Sequence, residues 1–220
     1  MTLFTLPPLA VLIGLGIWQL ERREWKHELI ARLEARLSAE PVPLPRPGDD
    51  PAGVEFRRVH LTGTLLQDRQ QFLVGRSYQG ASGYEVMTPM ALPDGRYVFI
   101  DRGWIPLAAK DAPLQRSEAA QGATSIDGII RLPPAEGTAA SRGNEHYRLD
   151  LGHMAEQAGL DPNSLAPVYV VAVGRPEAGR LPVPRTVAVE LPDNHLQYAL
   201  TWFSLAGVLA VIFVIAARRR

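Results

Sequence analysis

The 220-residue chain contains no cysteine. That excludes disulfides, thiolate metal sites, iron–sulfur clusters and a cysteine nucleophile, and it leaves the redox compartment open. Neither sign of charge is in excess, because 23 Lys and Arg balance 23 Asp and Glu. No whole-chain basic footprint exists, so no nucleic-acid partner is expected. With 46% apolar residues and no net charge the chain is not disordered. Signature motifs of catalysis are also missing. Gly75, Gly80 and Gly83 are not followed by the Lys-Ser/Thr of a phosphate-cradling loop. His27-Glu28 lacks a second His at position 31, there is no G-x-S-x-G elbow, and no internal repeat is visible.

Charge is absent altogether from two stretches. Leu3 to Leu20 is an uncharged run of eighteen residues, about 27 Å as a helix against a ~30 Å hydrocarbon core. Leu196 to Ala217 is a stronger run of twenty-two, about 33 Å. The first is expected to be a retained anchor and not a cleaved signal, since no Lys or Arg precedes it and no small-x-small site follows. Trp18 and Trp25 suit an interfacial belt. Ala10-xxx-Gly14 and Ala206-xxx-Ala210 have the spacing of close helix packing, although Gly and Ala are common in any membrane helix. Two spans put both termini on one side. Arg218-Arg219-Arg220 favours the cytoplasm for that side, and Arg22, Arg23 and Lys26 after the first run argue against it. A loop of ~175 residues crosses largely regardless of its charge, so the tail decides.

Residues 21–195 hold all 23 acidic residues and 20 of the 23 basic ones. Residues 21–40 read as an amphipathic stem, with Leu29, Ile30, Leu33 and Leu37 at helical spacing. Residues 41–53 form a Pro-rich, extended linker. Residues 54–195 turn to strands. Val59, Leu61, Gly63 and Leu65 alternate with polar residues, and Phe72-Leu73-Val74 is a second short strand. Val86–Leu92 and Arg96–Asp101 flank the turn Pro93-Asp94-Gly95. Ser125–Leu132, Val168–Val173 and Thr186–Leu191 complete the set, and one helix is expected from Asp150 as N-cap to Ala158, closed by Gly159. The expected fold is thus a membrane protein. Transmembrane α-helices at 1–20 and 196–217 flank a mostly antiparallel β domain, barrel- or sandwich-like, with minor helices, and 218–220 is a basic cytoplasmic tail.

Within that domain the chemistry is quiet. His146 and His153, beside Met154, lack a recognised ligand spacing and read as solvated surface histidines. Arg76, Arg102 and Arg131 could bind an anion but read as exposed rungs of strands. Asp101 and Arg102, adjacent on a strand, point to opposite faces and cannot form a local acid–base pair. The residue that needs explaining is His195, at the mouth of the second run. Tyr198, Ala199, Trp202 and Ala206 share its helical face. One reading is an interfacial polar residue, helped by Asp193 and Asn194 as a helix cap. The other is a metal ligand, with a flat apolar macrocycle lying on the aromatic and small residues.

Several segments together resemble one family. Gly16-Ile17-Trp18-Gln19 with Arg22 and Lys26, Gly83-Tyr84, Thr88-Pro89, Arg102-Gly103-Trp104-Ile105-Pro106, and Asn194-His195-Leu196-Gln197-Tyr198-Ala199-Leu200-Thr201-Trp202-Phe203 are similar to the Surfeit locus protein one family of cytochrome c oxidase assembly factors. The resemblance covers nearly the whole chain. It implies a non-enzymatic role in assisting heme a insertion into oxidase subunit I, or in stabilising that subunit. It also implies His195 as axial ligand of the heme iron, with Trp202 and Tyr198 beside the macrocycle. Subunit I, heme a synthase and the lipid bilayer are the implied partners. The implied setting is a bacterial inner membrane, multi-pass, with the main domain periplasmic, since no Arg- and Ser-rich presequence is present. The rival readings are a structural oxidase-assembly partner without heme contact and a membrane-anchored periplasmic enzyme. Position 193 is Asp where Asn is commoner in such sequences, which would alter the charge near a heme propionate.

Overall fold

Alternation of β-branched and polar residues from Arg58 to Leu65 makes β1, and its burial alternates in step, with Val59, Leu61 and Gly63 inside. The computed structural model describes residues 2–110, 122–134, 141–177, 179–185 and 193–218. They fall into two compact units, residues 36–188 and residues 1–35 with 189–220. The expected strand Thr186–Leu191 lies outside the described residues.

In the first unit, β1 is followed by β2 (Gln71–Tyr78), β3 (Ala81–Ala91), β4 (Tyr97–Pro106), β5 (Thr124–Arg131), the two-residue strands β6 (Ser141–Arg142) and β7 (Glu145–His146), and β8 (Leu165–Ala172). The order β1-β5-β8-β4-β3 closes on itself where Thr64 and Leu65 pair with Ala91 and Met90. The fold is therefore a closed five-stranded barrel and not a sandwich. Closure requires backbones to touch at Gly63, where a Cβ would stand 2.4 Å from the Ala91 carbonyl oxygen. Pairing is antiparallel except for β4–β8 and β2–β7, and β2, β7 and β6 extend the sheet beyond β3.

The turn at Pro93-Asp94-Gly95 forms as its residues dictate: Gly95 has φ +85°, and Leu92 N–H donates to the Arg96 carbonyl at 2.9 Å. A second hairpin joins β2 to β3 through Gln79 and Gly80, both at positive φ. Inside the barrel Val59, Leu61, Met90, Val98, Ile100 and Ile130 form the core, joined by Leu44 from the Pro-rich segment. Helix α2 (Leu151–Gln157) packs Leu151, Met154 and Ala155 on the outer face of the sheet, against Met87 and Phe99. It starts where Asp150 accepts the His153 N–H at 3.0 Å, and Gly159, at φ +66°, follows its end.

The second unit consists of α1 (Thr2–Ser38), whose last three residues belong to the first unit, and α3 (His195–Arg218). The first apolar run and the charged segment after it make one continuous helix. Among the described residues, α3 alone is long and apolar enough to cross a membrane. The two helices pack at Gly16, where a Cβ would lie 2.5 Å from the Phe203 ring, so a larger residue there would require that ring to move. The spacing motif Ala10-xxx-Gly14 is not the contact: both residues are exposed, and Gly14 has open space around it. Of the other pair, Ala206 is buried and Ala210 half-buried.

Candidate functional site

The mouth of α3 gathers the polar residues of the helical unit. His195 begins the helix, and Asp193 Oδ1 accepts its backbone N–H at 3.1 Å. The other carboxylate oxygen of Asp193 lies 2.8 Å from His27 Nε2 and 3.5 Å from Arg23 Nε. The His195 N–H bond, then His27, hold the Asp193 carboxyl below the usual carboxylate range. On the ring side, His195 Nδ1–H donates to Gln19 Oε1 at 2.8 Å. That bond puts the proton on Nδ1 and leaves Nε2 with its lone pair.

The face expected to run down α3 from His195 is divided. Ala199 and Ala206 are buried and so are not available to a ligand; helical spacing turns them toward the same side as the residues that meet α1. Tyr198 is 55% exposed, and Trp202 and His195 are half-buried. His195, Tyr198 and Trp202 thus remain as an accessible imidazole and two aromatics. A separate shallow groove of about 700 Å³ follows the side of α3 lined by Leu196, Leu200, Ser204 and Val208, and it does not include His195.

Gln19, His27 and the double role of Asp193 were not assigned from the sequence. Gln19 did carry a signal, as the only amide side chain in the Leu3–Leu20 run. A side-chain amide at the end of an apolar run needs a partner. Its partner is 176 residues away, which no local pattern reveals.

In the β domain two expectations are corrected. His146 is not a solvated surface residue but is 1% exposed, with Nε2 2.7 Å from Gln71 Oε1. Burial, then the neighbouring His153, push its pKa down. His153 is half-buried and bonded to Ser141. Among the described residues no group of three or more His, Asp or Glu is placed to hold a metal ion. Arg76, Arg102 and Arg131 are not exposed rungs either; all three are half-buried. Asp101 and Arg102 do part company: Asp101 meets Glu85 and Arg185, and Arg102 lines a different cleft with Glu177 and Arg180.

Comparison with known proteins gives a single result. The model described as the SURF1 family matches residues 6–207. A SURF1-like protein of Monosiga brevicollis is 32% identical over 227 residues, covering 96% of this chain and 85% of its own length. Surfeit locus protein 1 of Mus musculus is 30% identical over 225 residues, covering 93% and 71%. A SURF1-like protein of Rickettsia conorii is 30% identical over 221 residues, covering 96% and 88%.

Proposed function

The chain belongs to the SURF1 family, and from that premise we propose that it is a non-enzymatic cytochrome c oxidase assembly factor that holds heme a. On this reading it assists heme a insertion into oxidase subunit I, or stabilises that subunit while it assembles. The observation that carries the reading is the bond from His195 Nδ1 to Gln19 Oε1. A histidine that ligates a metal ordinarily donates its other ring nitrogen to an oxygen, which fixes the tautomer and the ring plane. Gln19 supplies that oxygen, and Nε2 is left to ligate.

Heme a, when bound, would supply an iron that takes an imidazole nitrogen and a macrocycle with apolar faces. The residues at the mouth of α3 suit such a group. His195 Nε2 would hold the iron, Gln19 would position the imidazole, and Tyr198 and Trp202 would form the aromatic wall. Arg23, 3.5 Å from Asp193, brings a guanidinium to the same rim, which can donate to a carboxylate substituent.

The reading puts α3 and the uncharged run of α1 across a bacterial inner membrane, with both termini cytoplasmic and the β domain periplasmic. Support comes from the length and composition of α3, the basic tail, and the similarity to a Rickettsia protein. Heme a synthase would be the source of the heme.

A second reading, a structural assembly partner without heme contact, has one observation in its favour. The His195–Gln19 bond, with Gly16 packed on Phe203, also serves to pin α3 to α1. One experiment separates the two. Full-length protein, purified in detergent from cells co-producing heme a synthase, is expected to show a visible heme spectrum. His195→Ala loses most of that absorbance, and Gln19→Leu weakens binding by roughly 10–100-fold. Full retention of the spectrum in His195→Ala would overturn the heme reading in favour of the structural one.

A further inference from the structure

The heme reading gives no role to Arg102-Gly103-Trp104-Ile105-Pro106, one of the family-like segments of the sequence. Packing accounts for two of its residues. Trp104 pairs with Val183, each backbone N–H donating to the other's carbonyl, at 2.8 and 2.7 Å. Gly103, at φ +108°, allows that approach, since a Cβ there would collide with the Val183 carbonyl oxygen. Arg102 is not explained in this way. Alternation along β4 sets it in the row of Val98 and Ile100, which face the barrel interior. Ile126 of β5 and Ala172 of β8 pack against the same interior, and with Arg102 they line a cleft of about 270 Å³. Arg175, Glu177 and residues 180–184, on the chain beyond β8, close its outer side. The cleft thus lies at the rim of the barrel interior, and the mouths of β-barrels are frequent ligand sites.

The lining carries three guanidiniums, Arg102, Arg175 and Arg180, against one carboxylate, Glu177. That carboxylate is already paired, since Arg180 Nη1 donates to its Oε2 at 3.0 Å. Among the described residues neither Arg102 nor Arg175 has a side-chain hydrogen bond or an ion pair. Arg102 is half-buried, and its Nη1 is fully buried without a hydrogen-bond partner. Burial, then the neighbouring Arg180, push its pKa down, so the charge it feels most is of its own sign. Elsewhere in the domain such groups are matched: Arg76, Arg131 and Arg185 stand against Glu55, Glu85 and Asp101. A partly buried cation without an anion is costly to the fold, and a buried polar atom is ordinarily satisfied. Both costs are relieved when an anion enters the cleft, where partial desolvation strengthens its attraction.

We propose that Arg102, Arg175 and Arg180 form a binding site for a phosphate group at the mouth of the barrel. All three cations are arginines, whose planar fork matches phosphate oxygens with paired hydrogen bonds, and none is lysine. A tetrahedral phosphate presents oxygens on more sides than a planar carboxylate does. Guanidiniums from β4 and from the chain beyond β8 therefore reach one group together. Leu181, Pro182 and Pro184 form an apolar wall beside it. The volume admits the anionic group and little beyond it. Free phosphate and the phosphodiester of a lipid headgroup share this chemistry.

Calorimetric titration of the full chain in detergent, at fixed ionic strength, tests the site with inorganic phosphate and dihexanoylphosphatidylglycerol as probes and acetate as control. Saturable one-site binding of phosphate or of the lipid is expected, and which of them binds identifies the source. Arg102→Gln should raise Kd by roughly tenfold or more, the loss of one charged hydrogen bond. Arg175 is exposed, so Arg175→Gln reads the site without disturbing the fold, and it should raise Kd by roughly threefold. Arg58→Gln, at an exposed position on β1, should leave Kd unchanged. Thermal melts separate binding from a structural role. Without a probe Arg102→Gln should melt no lower than the parent, because it removes an unpaired charge. The probe that binds should raise the Tm of the parent and not that of Arg102→Gln. A large loss of stability in Arg102→Gln without a probe would make the residue a packing element and overturn the proposal. It also fails if neither probe binds saturably, if acetate binds as tightly, or if the variants at 102 and 175 bind as the parent does.

Discussion

The two units of this chain use the same aliphatic residues in opposite ways. In the β domain Val86, Met87, Met90, Val98, Phe99 and Ile100 are completely shielded. On α3, Leu200, Val208, Val211 and Ile212 keep between 57% and 59% of their surface open. The first unit is a molecule that makes its own apolar interior; the second asks its surroundings to provide one. Lipid supplies that, and water does not. A whole-chain average of composition hides the difference completely, because the surplus in the helices is offset by the charge of the domain.

The contrast is sharpest at the level of single side chains. Phe99→Ala should destabilise the barrel by ~3–5 kcal/mol. Hydrogen exchange of β4 amides, read by mass spectrometry on detergent-solubilised protein, would show it as faster global opening. A loss below ~1 kcal/mol would mean that the outer-face core under α2 is not close-packed.

Two aspartates restate the comparison in terms of charge. Burial, then Glu85, raise the Asp101 pKa from 3.8 to about 7, whereas the exposed Asp193 is held low by its donors. The groups facing Asp101 are Glu85, Arg185, Tyr169 and the Gly103 N–H. The folded state keeps a proton that the unfolded state releases, so this group's contribution is fully present below pH 3.8 and is lost as pH rises to about 7. Asp101→Asn should flatten the stability profile across that window. It should also leave the variant more stable than the parent at pH 8, where the parent must either bury the charge or hold the proton. An unchanged slope in the variant would place the dependence elsewhere.

The smallest effect belongs to the helices. Val208→Ala on α3 should shift the exchange-derived stability of the barrel by less than ~0.5 kcal/mol. A change as large as that of Phe99→Ala would erase the distinction between the two units.

What the sequence revealed follows from the range of the physics involved. The alternation in β1, the Pro93-Asp94-Gly95 turn and the Asp150-to-Gly159 helix are encoded by neighbours close in the chain, and each is found in the structure. Closure of the barrel is not local: it depends on pairing Thr64 with Ala91 and Arg58 with Ile129, so barrel and sandwich were equally compatible with the strands. The Gln79-Gly80 hairpin was hidden in a glycine-rich stretch that also reads as loop. His195 stood out because a polar ring at the end of an apolar run is conspicuous. Gln19 did not, since its role needs a contact between residues far apart in the chain.

The position of β8 has a further consequence, for the order of events during synthesis. It is the last of the eight strands described, yet it sits between β5 and β4, pairing with one antiparallel and the other parallel. Until Leu165–Ala172 has been made, the barrel is an open ribbon with two bare edges, and Ile130, Val98 and Ile100 lack the wall that Val168 and Val170 provide. Such a partner, recruited from far along the chain, makes folding slow and leaves the nascent domain open to mispairing. The apolar helix α3 begins 23 residues after β8 ends. The closing strand therefore emerges from the ribosome just ahead of the long apolar helix, and the two deadlines fall almost together.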